Sequence, residues 1–256
     1  MIIDAHTHIH EFDRGAHQRS ASADDLVRAM DVAGIEWSVV LPVPGIAGNG
    51  FVSSECRRHS GRLVPLHCPD FTDHSTTLSK LVSAASEEGI RGLKIHPRMQ
   101  DVSVRDSVLD DVAAWAADQR IPILFDVFPY GKYVANPDVR VLAYEPLARR
   151  NPNATIILAH AGGYQVLETF LLMKALDNVY FDVSFSFSYF AGSSVIQDLE
   201  FALRRAPAGR VLYGSDFPEV DSGEYLQLVR NHGRSLSEEQ TQQLFSGAAA
   251  TIFGIG

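Results

Sequence analysis

The sequence predicts an α/β protein folded as a single (β/α)8 barrel, or TIM barrel, over residues 1–256. Three observations lead to this prediction: eight short runs rich in Val, Ile and Leu, helix-like segments between them, and polar residues where the runs end. Successive runs begin about 25 to 35 residues apart, which is the spacing of βα units. Eight such units match the length and rhythm of the barrel. A doubly wound open sheet is the structural alternative.

The predicted strands are short and strongly apolar. Several of them are apolar on both faces, which is typical of parallel strands that helices cover. The eight runs begin near Ile2, Glu36, Leu63, Ile90, Ile121, Thr155, Val179 and Val211.

The segments between the runs carry apolar residues at helical spacing. In the first, Leu26, Ala29, Met30 and Ala33 share one face, and Gly34 is a natural C-terminal stop. The last predicted helix opens with the capping box SEEQ at residues 237–240. Three further faces consist of Leu78, Leu81, Val82 and Ala85 before Gly89, of Val108, Leu109, Val112, Trp115 and Ala116, and of Val195, Ile196, Leu199 and Leu203.

Composition restricts the class of protein. With 46% hydrophobic and 21% charged residues, the chain is typical of globular proteins with a large core. Its net charge of −9 argues against nucleic-acid and anionic-membrane partners, so we expect a small-molecule substrate, with homo-oligomerisation open. Cys56 and Cys68 form no disulfide framework, and no segment predicts a membrane span or signal peptide. We therefore expect a cytoplasmic protein.

Ionisable side chains follow most of the predicted strands. Catalytic groups of such barrels lie at the C-terminal ends of several strands, so these side chains should converge. Burying a titratable group without a partner costs several kcal/mol of folding free energy. A barrel without a functional site would not require so many of these groups at its strand ends. The set consists of His6 and His8 after the first run, His67 after the third, Lys94 and His96 in the fourth, Asp126 in the fifth, His160 in the sixth and Asp216 in the eighth.

Imidazole and carboxylate groups converging on one point are ligands for zinc or a similar divalent ion. In the opening MIIDAHTHIH, side chains two residues apart point the same way on an extended chain, so His6 and His8 can share a face. His10 lies beyond the strand end, and we assign it to the pocket rim or to solvent. A divalent ion lowers the pKa of bound water from 15.7 to about 7.

Several motifs together resemble the amidohydrolase superfamily, in the amidohydrolase-related branch that includes aminocarboxymuconate-semialdehyde decarboxylase and assorted hydrolases. They are DAHTHIH after the first strand, GLKIHP at the fourth, ILAHAGG at the sixth, LYGSDFP at the eighth and LFSGAAATIFGI at the C-terminus. The resemblance covers the whole chain in strand order.

The resemblance implies a barrel with one or two divalent ions at its mouth. By position, His6 and His8 match the paired ligands of the family. Asp216 matches the final-strand carboxylate, which binds metal and serves as general base. His160 matches the sixth-strand histidine, which is a ligand or a catalytic acid and base depending on the branch. Zinc is the first expectation, with manganese or magnesium as alternatives.

The chain departs from the family at the end of the fifth strand, where Asp126 stands in place of the usual histidine. As a ligand, this carboxylate favours harder metals; otherwise it orients a histidine or signals weakened metal binding. Lys94 either bridges two metals in carboxylated form, as in other branches, or holds a substrate carboxylate. His96 shares the face of Lys94 and is assigned to substrate or metal contact. Arg98 either binds an anionic substrate or lies on the surface.

Structural alternatives accompany these assignments. His6 and His8 could form a hydrogen-bonded strand-end pair, Asp216 a turn or helix cap, and His160 a contact to a loop carbonyl. His67 is as compatible with a structural role as with a site role. The serine and aromatic residues of SFSFSYF near Ser184 line either the pocket or the core. The histidines expected to be solvated are His10, His17, His59, His74 and His232.

We expect a metal-dependent hydrolase that acts on a small ester, lactone or amide through metal-activated water, with Asp216 or His160 taking the proton. The first alternative is a non-oxidative decarboxylase of a small carboxylic acid, in which His160 protonates the substrate carbon. The second alternative is a barrel without catalysis that only binds a ligand.

Overall fold

Eight parallel strands form the wall of a barrel in the computed structural model, which describes residues 1–10, 21–130 and 136–256. Every predicted strand is present. The strands are β1 (Ile3–Thr7), β2 (Trp37–Val40), β3 (Leu63–Pro65), β4 (Leu93–Ile95), β5 (Ile123–Phe125), β6 (Ile156–Leu158), β7 (Val179–Asp182) and β8 (Val211–Leu212).

The strands pair in sequence order, as β1–β3 and as β4–β8. Two parallel bridges join these groups: His67 pairs with Leu93 between β3 and β4, and Thr7 pairs with Phe217 between β1 and the segment after β8. The barrel prediction is therefore confirmed, and the open-sheet alternative is wrong.

Most of the helices cover the outside of the barrel between consecutive strands, and the last three follow the eighth strand. The helices are α1 (Ala23–Ala33), α2 (Asn49–Arg58), α3 (His74–Glu88), α4 (Pro97–Gln100), α5 (Val108–Gln119), α6 (Glu145–Arg150), α7 (Val166–Ala175), α8 (Ser186–Tyr189), α9 (Val195–Arg205), α10 (Ser222–His232), α11 (Glu238–Gln242) and α12 (Ala248–Phe253).

The predicted helix signals act where expected. Gly34 ends α1 in the left-handed conformation with φ of 71°, and the Ser237–Gln240 capping box begins α11. The expected face of α3 is only partly correct, because Val82 is 45% exposed while Leu81 is buried. The buried stripe of α3 runs through Thr77 and Leu81, so Val82 lies outside it.

Two apolar layers hold the barrel together. The interior is filled by Val39, Leu124, Ile157 and other strand residues, and Phe253 and Ile255 from the C-terminus join Ile3 in this cluster. The larger outer layer packs the opposite faces of the strands against the helices. The C-terminal segment thus closes the end of the barrel where β1 begins, which leaves the C-terminal ends of the strands for a site.

Candidate metal centre

The predicted polar residues other than His67 converge at the C-terminal ends of the strands around a cavity of about 510 Å³. Of the eight candidate residues, His6 is fully buried beside this cavity. The other seven line it directly: His8, Lys94, His96, Arg98, Asp126, His160 and Asp216. Residues from β1, β4, β5, β6 and β8 therefore meet, as the barrel prediction required.

An irregularity in β1 sets the direction of His6. Ile3 and Ala5 point into the barrel, so simple alternation would turn residue 6 outward. The register of β1 against β2 shifts between Asp4 and Thr7, and such a bulge re-aims a side chain. The ring centroids of His6 and His8 then lie 5.2 Å apart, and both Nε2 atoms approach Asp216 Oδ1, at 3.4 and 3.3 Å.

Three histidines are held with the same tautomer. Nδ1 of His6 lies 2.9 Å from Asp182 Oδ2, and Nδ1 of His8 lies 2.9 Å from the Leu41 carbonyl. Nδ1 of His160 lies 3.1 Å from the Ser184 carbonyl. Because carboxylate and carbonyl oxygens only accept hydrogen bonds, each Nδ1 carries a proton. Each Nε2 is therefore the atom left for a metal or for proton transfer.

Sequence reasoning missed Asp182, which ends β7 and is completely buried. Besides its bond to His6, it accepts the backbone N–H groups of His160 and Ser184, both at 3.0 Å. Burial alone would raise the pKa of Asp182, but the contact with His6 and the charge of His160 hold it below its usual range. The strand-end position of this aspartate was the one signal that could have identified it.

The residues present fit a divalent ion. Nε2 of His6 is buried and has no hydrogen-bond partner among the described residues, which is costly for a polar atom unless a ligand satisfies it. Ligand atoms of His6, His160 and Asp216 all lie within 4.8 Å of one another. Two or three imidazoles with one carboxylate are a donor set typical of zinc and related metals.

Asp216 presents its carboxylate from a strained backbone. Its φ of 67° is unusual for a residue with a side chain, and its N–H donates to the His6 carbonyl at 2.8 Å. Burial favours the neutral acid, but the contact with His8 and the nearby imidazoles of His160 and His6 lower the pKa of Asp216. The group is therefore an anion at neutral pH, as a metal ligand must be.

Asp126 interacts with protein cations and imidazoles. Its carboxylate lies 3.3 Å from His96 Nε2, 3.2 Å from an Arg98 nitrogen and 3.7 Å from His160 Nε2. Arg98, which also donates to the Phe128 carbonyl, therefore belongs to the site and not to the surface. Despite its burial, the nearby His96 ring, the contact with His160 and the charge of Arg98 hold the pKa of Asp126 well below its ordinary value.

Protonation differs among the neighbouring bases. Burial lowers the pKa of His6 to about 4 and of His96 to about 3, so both rings are neutral at pH 7. Burial also lowers the pKa of Lys94, against the pull of Asp126 and other carboxylates. His160 differs: burial would lower its pKa, but Asp126 and the charges of Asp216 and Asp182 raise it. His160 is thus the imidazole best suited to carry a second proton.

An aromatic wall reaches the same cavity. Phe128, Tyr130 and Phe185 line the cavity, and Tyr189 and Phe190 pack against Phe128 behind them. Phe128 lies at the centre of this wall, with ring centroids 5.6 Å from Phe185 and 5.1 Å from Tyr189. It also meets His160 edge-on at 5.5 Å. The segment SFSFSYF therefore contributes both to the pocket and to the core, the two roles that the sequence left open. Phe185 lines the cavity, and Phe187 is buried in the core.

Other histidines correct the expectation of solvation. His10 is buried and lines the cavity, which fits the rim assignment. His232 stacks on Phe187 and bonds to Glu200, His59 pairs with Asp24, and His67 lies 3.0 Å from Asn49 Nδ2 at the β3–β4 junction. His74 begins α3 and is exposed, as expected. His17 lies outside the described residues.

The fold and the histidine–carboxylate cluster define a TIM-barrel protein with a candidate metal centre at its mouth. The chain belongs to the amidohydrolase family, whose profile matches residues 3–255. It is accordingly an enzyme of the amidohydrolase superfamily, as the sequence motifs indicated. No curated protein matches the sequence significantly.

Solved structures with the same fold include metal-containing enzymes. An amidohydrolase from Burkholderia multivorans with bound zinc shares 18% identity over 100% of both chains, with a TM-score of 0.76. A dihydroxybenzoic acid decarboxylase from Polaromonas sp. JS666 with bound manganese and an inhibitor, 2-nitroresorcinol, shares 16% identity over 99% of this chain and 96% of that one, at 0.79.

A third structure is a probable 2-pyrone-4,6-dicarboxylic acid hydrolase from Acinetobacter baumannii with citric acid bound. It shares 15% identity over 99% of each chain, with a TM-score of 0.72. At these identities the likeness establishes the fold. Within the described part of the chain, no helix has the length and apolar character needed to cross a bilayer.

Proposed function

We propose that this protein is a metal-dependent decarboxylase that removes the carboxyl group of a small planar carboxylic acid without oxidation. The observation that carries the proposal is the position of His160. Its ring lies between Asp126, 3.7 Å from Nε2, and Phe128 of the aromatic wall, 5.5 Å between centroids. A proton donor is thereby placed where a flat substrate would stack, which is what protonation of a ring carbon requires.

Charge balance supports a carboxylate substrate. Around the candidate metal centre, the carboxylates Asp126, Asp182 and Asp216 are matched by three cations: Lys94, Arg98 and the protonated His160 that donates the proton. A divalent ion would leave two positive charges in excess. A monocarboxylate then enters a cavity of opposite sign, so its desolvation is compensated.

His6, His8 and Asp216 would hold the ion, and Zn²⁺ or Mn²⁺ is the metal we expect. A bound divalent ion supplies Lewis acidity that polarises a substrate oxygen. The Leu41 carbonyl and Asp182 keep the imidazole lone pairs on the inward Nε2 atoms. The amidohydrolase and the decarboxylase named above contain zinc and manganese in comparable folds, which supports the assignment.

The proposed reaction replaces a carbon–carbon bond of the substrate with a carbon–hydrogen bond. The bond between the carboxyl carbon and the neighbouring substrate carbon breaks, and its electron pair stays on the latter. The Nε2 proton of His160 moves to that carbon, carbon dioxide leaves, and solvent returns a proton to His160. Asp126 stabilises the charged imidazole before the transfer, and Lys94 lines the cavity where it can contact the carboxylate.

Hydrolysis of a small ester, lactone or amide is the second candidate. It is favoured by the carboxylate of Asp216, whose Oδ1 lies 3.4 and 3.3 Å from the Nε2 atoms of His6 and His8. A water molecule in the cavity beside these groups could pass its proton to Asp216. The hydrolase from Acinetobacter baumannii has a comparable fold.

Isotope labelling separates the two reactions. The protein loaded with Zn²⁺ or Mn²⁺ is incubated with hydroxybenzoic acids and with small lactones, in deuterated water and in ¹⁸O-labelled water. Decarboxylation places deuterium on the carbon that lost carbon dioxide, whereas hydrolysis places ¹⁸O in the product. Mass spectrometry of ¹⁸O products alone would contradict the decarboxylase proposal.

Variants test the assigned roles. We expect His160→Gln to keep the metal and to lose about 10²- to 10⁴-fold in turnover, the usual contribution of a positioned acid. His8→Ala and Asp216→Ala should lose both metal and turnover. His59→Ala, which removes a histidine paired with Asp24 outside the cavity, is the control. Retained turnover in both His8→Ala and Asp216→Ala would refute the metal assignment, and a wild type that binds no divalent ion would leave the ligand-binding alternative.

A further inference from the structure

We propose that Ser184 is a positioning residue that ties His6 and His160 to one carboxylate, Asp182. Its hydroxyl oxygen lies 3.2 Å from Nδ1 of His6 and 2.9 Å from Nδ1 of His160. The hydroxyl also donates to Asp182 Oδ1. The inference rests on the metal centre of the proposed function, because it concerns how two inward Nε2 atoms are aimed.

Proton counting gives the hydroxyl its role. A serine hydroxyl has one proton, and here that proton forms the hydrogen bond to the carboxylate of Asp182. The oxygen can then only accept hydrogen bonds, so both facing imidazole nitrogens must be donors. One hydroxyl therefore gives each Nδ1–H a second acceptor, beside Asp182 Oδ2 for His6 and the Ser184 carbonyl for His160, and so holds the orientation of both rings.

The surroundings make this link rigid. Asp182 and Ser184 are both completely buried, so water does not compete for their hydrogen bonds. Asp182 also accepts the backbone N–H of Ser184 at 3.0 Å, which closes a small ring within the chain. Phe185 follows with φ of 62°, a turn that leaves the Ser184 carbonyl within 3.1 Å of His160 Nδ1. The two histidines come from β1 and from the end of β6, so this unit joins distant parts of the chain.

Ser186 is a matched control in the same segment. It is also completely buried, and its hydroxyl donates to the His160 carbonyl at 2.7 Å. No imidazole nitrogen is among its hydrogen-bond partners in the described part of the chain. Ser184→Ala and Ser186→Ala therefore remove the same atom at the same depth, and they differ in the contact to the rings.

The test uses imidazole nitrogen spectra of histidine-labelled full-length protein without metal, at alkaline pH where the rings are neutral. Signals are assigned by their loss in His6→Asn and His160→Asn. We expect an Nδ1–H signal for both rings in all three proteins. In Ser184→Ala both signals should move upfield, because each Nδ1–H loses one of its two acceptors, and in Ser186→Ala both should keep their wild-type positions. Affinity for Co²⁺ should fall about 10-fold or more in Ser184→Ala, as for other residues that orient ligands, and stay within a factor of two in Ser186→Ala.

Three results would overturn the proposal: unchanged positions of the Nδ1–H signals in Ser184→Ala, a change in only one ring, or equal effects of the two serine variants. If Ser184→Ala does not fold, the near-isosteric Ser184→Cys replaces it, with the same expected direction. The imidazole nitrogen spectra need neither metal nor substrate. If the wild type fails to bind Co²⁺, the proposed function fails while the spectra still decide the role of Ser184.

Discussion

At the residue scale, the site consists of ionisable side chains whose protonation is set by their neighbours. The histidines of HTHIH carry a recognisable spacing, but the residue that fixes the tautomer of His6 is Asp182. Asp182 stands in VYFDVSF, where no spacing distinguishes it from a turn or edge residue. Its role follows only from contact between β1 and β7, which are remote in the sequence.

Replacing Asp182 should weaken metal binding. In Asp182→Asn the amide nitrogen cannot accept a hydrogen bond from the Nδ1–H of His6. The ring is then no longer held in the tautomer that leaves Nε2 free to bind a metal. We expect the affinity for Zn²⁺ to fall about 10- to 100-fold. Competition with a chromophoric chelator measures it.

Asp138→Asn is the control for this loss. Asp138 is also buried and accepts two hydrogen bonds at 2.9 Å, from Ser103 and Val104, but it lies outside the candidate metal centre. It should lose stability and keep its metal affinity. An equal loss of affinity in both variants would contradict the role of Asp182.

Cys56 should make stability depend on pH in the alkaline range. Burial raises the pKa of its thiol from 9.0 to about 12, so between these values the unfolded chain releases a proton that the folded chain keeps. Unfolding is then favoured as pH rises, by about 1.4 kcal/mol per pH unit for one thiol. Urea titrations should show a smaller alkaline decrease in unfolding free energy for Cys56→Ala than for the wild type. Equal slopes would show that the thiol does not retain its proton.

At the scale of elements, backbone irregularities place the site residues. The shift in β1 turns His6 inward, and His160, Phe185 and Asp216 all have positive φ where their strands end. Gly214, just after β8, lets that segment approach β1, because a Cβ there would lie 2.7 Å from Cβ of His6. Strain and close approach thus concentrate beside the candidate metal centre, as is common at functional sites.

Gly214→Ala should separate β1 from the end of β8. The added methyl overlaps His6, so we expect a loss of about 1 to 3 kcal/mol in unfolding free energy together with weaker metal binding. Gly50→Ala is the matched control, since a Cβ on this residue of α2 meets nothing within 4 Å. It should be neutral or stabilising by up to about 1 kcal/mol. Chemical denaturation compares the two, and a neutral Gly214→Ala would contradict the packing argument.

At the scale of the whole molecule, the two ends of the barrel have different roles. The C-terminal ends of the strands carry the cavity and its charges, while Phe253 and Ile255 seal the other end with apolar contacts. The parallel strand order closes the barrel wall that joins these two ends. Bridges between β3 and β4, and between β1 and the segment after β8, complete the wall. Stability and function should therefore respond to different substitutions.

Phe253→Ala tests this separation. Phe253 is 2% exposed in the interior cluster, so its removal should cost about 3 to 5 kcal/mol of unfolding free energy by lost burial and a cavity. Metal affinity of the folded protein should not change. Leu171→Ala, at a leucine that is 63% exposed, should stay within about 0.5 kcal/mol of the wild type. Loss of metal affinity in Phe253→Ala would show that the two ends are coupled.

The sequence by itself determined the barrel, because eight apolar runs at regular spacing leave few other ways to bury them, and every run became a strand. It also determined which residues reach the mouth, since strand ends of a barrel converge: His8, Lys94, His96, Asp126, His160 and Asp216 all line one cavity. Tertiary structure alone decided their partners. Arg98 pairs with Asp126, and Asp182 and Ser184 hold His6 and His160. Such contacts depend on distances between remote strands and on a bulge in β1, and local sequence patterns encode neither.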